Sequence, residues 1–220
     1  SGAGNVHHIQ PAAISLAQVT ECGTIYSPSE IASISAVAKK YNLGLQMDGA
    51  RFANSVAALN CSPAEMTWKA GVDLLSFGAT KNGAMAAEAV VFFNMEKAAE
   101  FEFRRKRGAH LFSKSRYLSA QINAYLEDGL WLKMAGQANN MAARMARGLS
   151  DLVAAPLHYK VEANIIFATL PKNVIEALEA AGFLFYVMGS KDEGHVRLVT
   201  SWNTTEEEVD RFLDVLLKHQ

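Results

Sequence analysis

The sequence predicts an α/β protein followed by a smaller α+β unit, and three observations carry that prediction. Short apolar strands alternate with amphipathic helices from Ile14 to Phe93. Helical periodicity then takes over from Met95 to about Leu149. Three more strands and two more helices follow from about residue 150 to the C-terminus. The first pattern is that of a sheet with helices packed over both faces.

The elements justify themselves in order. Ile14 to Val19 alternates apolar and polar residues and reads as a strand, which Pro11 prevents from beginning further upstream. Pro28 to Ile31 opens a helix, with Ser27 as its cap, Pro28 in the first turn and Glu30 three beyond the cap. Ile31, Ile34, Ala38 and Tyr41 give it one apolar face. Leu43 to Met47 is a short strand that ends at Asp48; Ala50 to Leu59 is helical, and Pro63 starts another helix that runs through Met66 to Ala70. Val72 to Phe77 is a strand, Gly78 to Gly83 a polar loop, and Ala89 to Phe93 an uninterrupted apolar strand. Phe112 to Tyr125 and Leu130 to Leu149 carry apolar residues at helical spacing, with Gly129 and Gly148 near their ends. Asn164 to Leu170, Phe183 to Val187 and His195 to Thr200 are strands, with a helix from Val174 to Ala181 between the first two. Thr204 with Glu207 reads as the capping box of a last helix that ends near His219. The resulting division is 1–112, 113–149 (linking helices) and 150–220.

Composition bounds the function. The chain has 220 residues, 50% of them apolar, enough to bury a sizeable core. Its 21 basic and 22 acidic residues leave a net charge of −1, which gives no reason to expect a nucleic-acid or membrane partner. The run Arg104, Arg105, Lys106, Arg107 reads as a solvated helix face. Cys22 and Cys61 lack the spacing of a disulfide framework or a zinc site, so a reducing, cytoplasmic setting is expected. His7 and His8 have no third ligand at useful spacing, and no metal is expected. No apolar run reaches membrane-spanning length. Ser1 to Gly4 has neither the basic nor the apolar region of a signal peptide.

Two residues stand out as chemistry. Asp48 ends a strand and is followed by Gly49, Ala50 and Arg51; Lys81 sits in a loop of small residues between two strands. Strand ends are where open α/β sheets bind ligands. A lysine there can be a nucleophile toward a carbonyl, and an aspartate can hold a cationic partner such as a protonated pyridine nitrogen. The plainer readings are a surface lysine in an ordinary loop and a carboxylate that caps the segment from Ala50.

The stretch Met47-Asp-Gly-Ala-Arg-Phe-Ala-Asn54 and the later stretch Asp73-Leu-Leu-Ser-Phe-Gly-Ala-Thr-Lys-Asn-Gly83 resemble the signatures of the threonine aldolase and β-eliminating lyase family. Many members have Ser-Lys-Gly where this chain has Thr80-Lys81-Asn82. That variant resembles the low-specificity and phenylserine aldolase branch, as do Cys61 to Gly71 and Arg105 to Gly108. The resemblance runs over nearly the whole chain. It implies the fold of type I pyridoxal-phosphate enzymes, here a partial large domain and a small C-terminal domain. It also implies retro-aldol cleavage of β-hydroxy-α-amino acids, of threonine or phenylserine type, to glycine and an aldehyde.

The resemblance implies roles residue by residue. Lys81 is the amine that joins pyridoxal 5'-phosphate, and Asp48 is the partner of the ring nitrogen. Arg51 and Arg197 hold the substrate carboxylate, Arg51 also lying against the cofactor. Thr20 and Glu21 lie on a turn that faces the substrate, where other members often carry a histidine that this chain lacks. Thr80 and Lys114 are candidate contacts to the cofactor, with Lys114 or Arg116 toward the phosphate in a region near a subunit contact. Phe52, Phe77, Tyr26 and Trp202 either line an aromatic pocket or pack in the core. The resemblance further implies a homodimer or homotetramer. It implies a family N-terminal segment, with a phosphate loop and a ring stacked on the cofactor, before the Val6 region; this chain is therefore expected to bind cofactor weakly alone. The alternatives are β-elimination or transamination on the same scaffold, or a structural module without turnover.

Overall fold

The computed structural model describes residue 2, residues 4–151 and residues 155–219; Ser1 and Ala3 of the N-terminal reading lie outside them. The first half is built on a four-stranded sheet, in the order β1 (Ala13–Ala17), β2 (Gly44–Gly49), β3 (Leu74–Gly78) and β4 (Glu88–Phe92). The first three strands are parallel and β4 is antiparallel to β3. The parallel crossovers run through α1 (Pro28–Lys40) and then through α2 (Phe52–Leu59) and α3 (Pro63–Met66). The α1 start is the expected capping box: the Ser27 hydroxyl accepts from Glu30 N and the Glu30 carboxylate accepts from Ser27 N. Ser62 and Glu65 repeat the same arrangement at α3.

One face of this sheet is the core. Leu16, Leu45, Met47, Leu75 and Phe77 alternate inward and pack with Ile31, Phe52, Val56, Met66 and Trp131. The Phe52 ring stacks on Trp131 at 6.4 Å and Phe77 meets Trp131 edge-on at 5.8 Å. That cluster ties the element after Asp48 and the strand before Lys81 to one helix, each aromatic pair adding about 0.5–1.5 kcal/mol beyond area burial.

The opposite face corrects the expectation of a sheet covered on both sides. Ser15 and Val90 are exposed, and Gln46 and Ser76 are half-buried. The side chains of Ser15, Gln46 and Ser76 form a polar chain across three strands. That face carries the small and polar residues of the alternation and is left partly open among the described residues. The apolar run in β4 is likewise an edge strand, with Val90 41% and Val91 36% exposed.

Three helices follow: α4 (Phe101–Arg107), α5 (Arg116–Leu126), which starts four residues later than Phe112 suggests, and α6 (Leu130–Ser150). The basic run lies on α4, which buries nothing. Helix α6 spans both cores. Trp131 and Ala135 belong to the first, and Met141, Ala142, Met145 and Leu149 to the second. The second core is completed by β5 (Ile165–Thr169), α7 (Lys172–Ala180), β6 (Tyr186–Val187), β7 (His195–Val199) and α8 (Glu206–Lys218). Its three strands form an antiparallel sheet in the order β5-β7-β6.

Two smaller expectations change. The strand placed at Phe183–Val187 pairs only over Tyr186–Val187. The last helix is capped by Thr205 with Glu208, not by Thr204 with Glu207. Thr204 is spent otherwise, its hydroxyl accepting from Ser201 N at 2.8 Å.

Candidate active site

Because β1, β2 and β3 are parallel, their C-terminal ends open on one edge of the sheet. The register sets Asp48 opposite both Ala17 and Ser76, and Gly49 opposite Phe77. Thr20 and Glu21 follow the first strand end, Asp48 and Arg51 mark the second, and Thr80 and Lys81 follow the third.

Asp48 is exposed and its Oδ1 accepts from Ala50 N at 3.0 Å. The helix that follows starts at Phe52 with Arg51 at its cap and no side-chain cap bond. Asp48 therefore shapes the turn and does not cap the helix, which overturns the plainer reading.

Arg51 is the electrostatic centre of the edge. Its Nε is buried and has no hydrogen-bond partner among the described residues. Burial, and next the neighbouring guanidinium of Arg197, push its pKa below the usual range, while Glu21 and Asp48 pull it back. Leaving a charged donor buried and unpaired costs about 1–3 kcal/mol or more. Neither arginine joins an ion pair among the described residues.

Arg197 comes from the other sheet. On β7 it lies between Phe167 of β5 and Tyr186 of β6, with its guanidinium 5.7 Å from the Tyr186 ring centre. Its neighbours Val196 and Leu198 are buried. Alternation along β7 therefore turns Arg197 outward, within electrostatic reach of Arg51.

The C-terminal half reaches this edge at three further points. Ile25 N donates to Glu162 Oε2 at 2.9 Å. Gly23, with φ +80°, lies so close to β5 that a Cβ would sit 3.0 Å from the Ile165 carbonyl oxygen. Trp202 lies beside Gly83, just past the lysine turn. The Thr20 turn is closed on itself: Thr20 N donates to the Thr24 carbonyl at 2.9 Å, and the two hydroxyls are 2.7 Å apart. Glu21 projects from it into solvent.

Lys81 is exposed in a 3₁₀ turn, Thr80–Asn82. The Thr80 hydroxyl accepts from Ala87 N at 3.0 Å, so it braces the turn. Asn82 is the residue that sequence reasoning missed. It is buried, and its amide donates to Tyr125 Oη at 2.6 Å and to the Trp131 carbonyl at 2.8 Å. Lys114 is exposed ahead of α5, and no described hydrogen bond or ion pair links its side chain to the strand ends. Phe52 and Phe77 belong to the core, Tyr26 packs against it half-buried, and Trp202 is 40% exposed.

The beta-eliminating lyase family model matches residues 1–172. The chain belongs to the beta-eliminating lyase family. It is 45% identical over 205 residues to the low-specificity L-threonine aldolase of Pseudomonas aeruginosa, and 43% identical over 206 residues to that of a Pseudomonas species. Each match covers 93% of this chain and 59% of the relative, so the chain spans about three-fifths of the length of the curated relatives it matches. The threonine aldolase of Leishmania major superposes with a TM-score of 0.89 at 29% identity, over 97% of this chain and 63% of that one. The serine palmitoyltransferase of Sphingomonas wittichii, at 15% identity and a TM-score of 0.70, covering 96% of this chain and 55% of that one, shares the fold. These neighbours place the beta-eliminating lyase chain in the type I fold of pyridoxal-phosphate enzymes.

Beta-eliminating lyases use pyridoxal phosphate, and the residues here fit it. An exposed carboxylate, an exposed amine and a half-buried arginine whose buried Nε is unpartnered among the described residues stand on adjacent strand ends. That donor set answers a cation, a carbonyl and an anion in turn.

Proposed function

We propose that the protein cleaves β-hydroxy-α-amino acids of the threonine or phenylserine type to glycine and an aldehyde. The observation that carries this reading is the placement of Asp48, Arg51 and Lys81 on adjacent parallel strand ends, with the buried Nε of Arg51 unpartnered among the described residues and Arg197 within its electrostatic reach. Like charges converge at a cost, and an anionic ligand removes it. The relatives' names point the same way.

Lys81 is the amine that attaches the cofactor, and Asp48 keeps a proton on the ring nitrogen. Bound there, pyridoxal phosphate supplies the electron sink for the bond that breaks. Arg51 and Arg197 grip the substrate α-carboxylate, each able to present two parallel N–H donors to it. Gripping the carboxylate orients the Cα–Cβ bond, which is where positioning contributes most. Glu21, on the Thr20 turn, offsets part of the shift at Arg51. Exposed apolar side chains at Trp68, Val91 and Leu126, which share an open cavity of about 490 Å³, support self-association as a dimer or tetramer.

The test is product analysis with the protein at its natural length, pyridoxal phosphate and phenylserine or threonine. Glycine and the matching aldehyde are expected, and Lys81→Ala should abolish both. Ammonia and a keto acid would replace the proposal with β-elimination.

A further inference from the structure

We propose that Asn82 and Tyr125 are positioning residues for Lys81: their hydrogen bond, with that from Asn82 to the Trp131 carbonyl, fixes where the lysine turn sits above the end of β3. The inference rests on the role proposed for Lys81.

The turn closes without them. Asn82 N and Ala84 N both donate to the Ala79 carbonyl, at 3.0 and 3.1 Å, and Ala79 N donates to the Ala87 carbonyl at 3.1 Å. Gly83, with φ +107°, then reverses the chain. The Asn82 side chain is thus not needed to make the turn. What it does is join the turn to two helices outside the β3–β4 hairpin, through Tyr125 at the end of α5 and Trp131 at the start of α6. All three residues are buried, at 3%, 4% and 9% exposure.

The Lys81 amine can reach only the space its stem spans from Cα, so where the turn is held sets which positions the amine can sample at the end of β3. A shift of about 1 Å in a positioned group costs orders of magnitude in rate. Thr80 braces one end of the turn against its own hairpin. Asn82 braces the other against α5 and α6, whose aromatic rings also pack on Phe77 of β3. The strand, the turn and the helices thereby become one rigid seat.

The amide is also chemically specific. One nitrogen donates to a hydroxyl and to a carbonyl, and the carbonyl can only accept. Asn82→Asp keeps the shape but faces the Trp131 carbonyl with an oxygen. Tyr125→Phe keeps the ring packing and removes only the hydroxyl.

The test is labelling of the protein at its natural length with pyridoxal phosphate, followed by borohydride reduction and peptide mapping. The readout is label at Lys81 relative to label at Lys106, which is exposed on α4. Melting temperature is measured alongside. The expected result is a fall of about tenfold in the Lys81 to Lys106 ratio in both variants, with Tyr125→Phe still folded. If Asn82→Asp fails to fold, Tyr125→Phe carries the test alone. An unchanged ratio in folded Tyr125→Phe overturns the positioning role and leaves the role of Lys81 intact. No preference for Lys81 in the unsubstituted protein overturns the proposed function, and this inference with it.

Discussion

Arg51, on the turn that ends β2, has its proton affinity lowered first by burial and then by Arg197, which stands on the outward side of β7 in the other sheet. Two cations held in each other's field, one with a buried and unpartnered Nε, are a local destabilisation that a bound carboxylate would relieve. The two sheets are held together beside that pair by Ile25 N donating to Glu162 and by the close approach of Gly23 to Ile165.

The first prediction follows from that pair. Arg197→Gln should raise KM for the amino acid about 10- to 100-fold, the worth of a charge-assisted contact. Stability should stay within about 1 kcal/mol, because relief of repulsion offsets the lost contact with Tyr186. Steady-state kinetics and urea unfolding on the same variant check both halves. A large stability loss with unchanged KM would make Arg197 a packing residue.

What could be read in the sequence was local or periodic. Asp48 and Lys81 sit at strand ends because the strands are short and bounded by small residues, and Ser27 with Glu30 is a contiguous capping signal. Three things were not legible. The sequence Thr204-Thr205-Glu206-Glu207-Glu208 contains two overlapping capping boxes, and only tertiary packing selects the second. Asn82 looks like a loop asparagine because its partners lie 43 and 49 residues away. The solvated face of the sheet was masked because β4 reads as an unbroken apolar run, in which Val90, on that face, stands on an exposed edge strand.

The capping choice makes the second prediction. Thr205→Ala should cost about 1 kcal/mol by removing the acceptor for Glu208 N. Glu207→Ala should change stability by less than about 0.5 kcal/mol, since it takes no part in the box. The shift in urea midpoint at constant slope measures each, and a larger effect at Glu207 would restore the earlier register.

Gly78 gives a third. A Cβ there would lie 2.9 Å from Ala50 Cα and 3.1 Å from the Ala50 carbonyl oxygen, and backbone cannot yield as a side chain can. Gly78→Ala should therefore displace the turn between Asp48 and Arg51 and cost about 1–3 kcal/mol. Substrate affinity should fall with it, because that turn aims Arg51. Unfolding and KM should move together; a stability loss with an unaltered KM would separate the turn from the site.

The last prediction concerns pH. Burial pushes the Tyr125 hydroxyl up to about 12, with the Asn82 amide pulling the other way and Glu88 adding to the rise. Burial wins because one donated hydrogen bond does not replace the water a phenolate loses. In the unfolded chain the hydroxyl titrates near its ordinary value of about 10. The folded pKa is therefore the higher one, and the unfolded state releases its proton first. The stabilising contribution of neutral Tyr125 is thus fully present below about pH 10 and is lost as pH rises toward about 12. Unfolding free energies of the unsubstituted protein and of Tyr125→Phe, compared at about pH 8 and about pH 11, isolate this group from the lysines that titrate in the same range. The unsubstituted protein should lose more stability over that interval than the variant. Equal losses would mean that Tyr125 is solvated and does not seal the seat of Lys81.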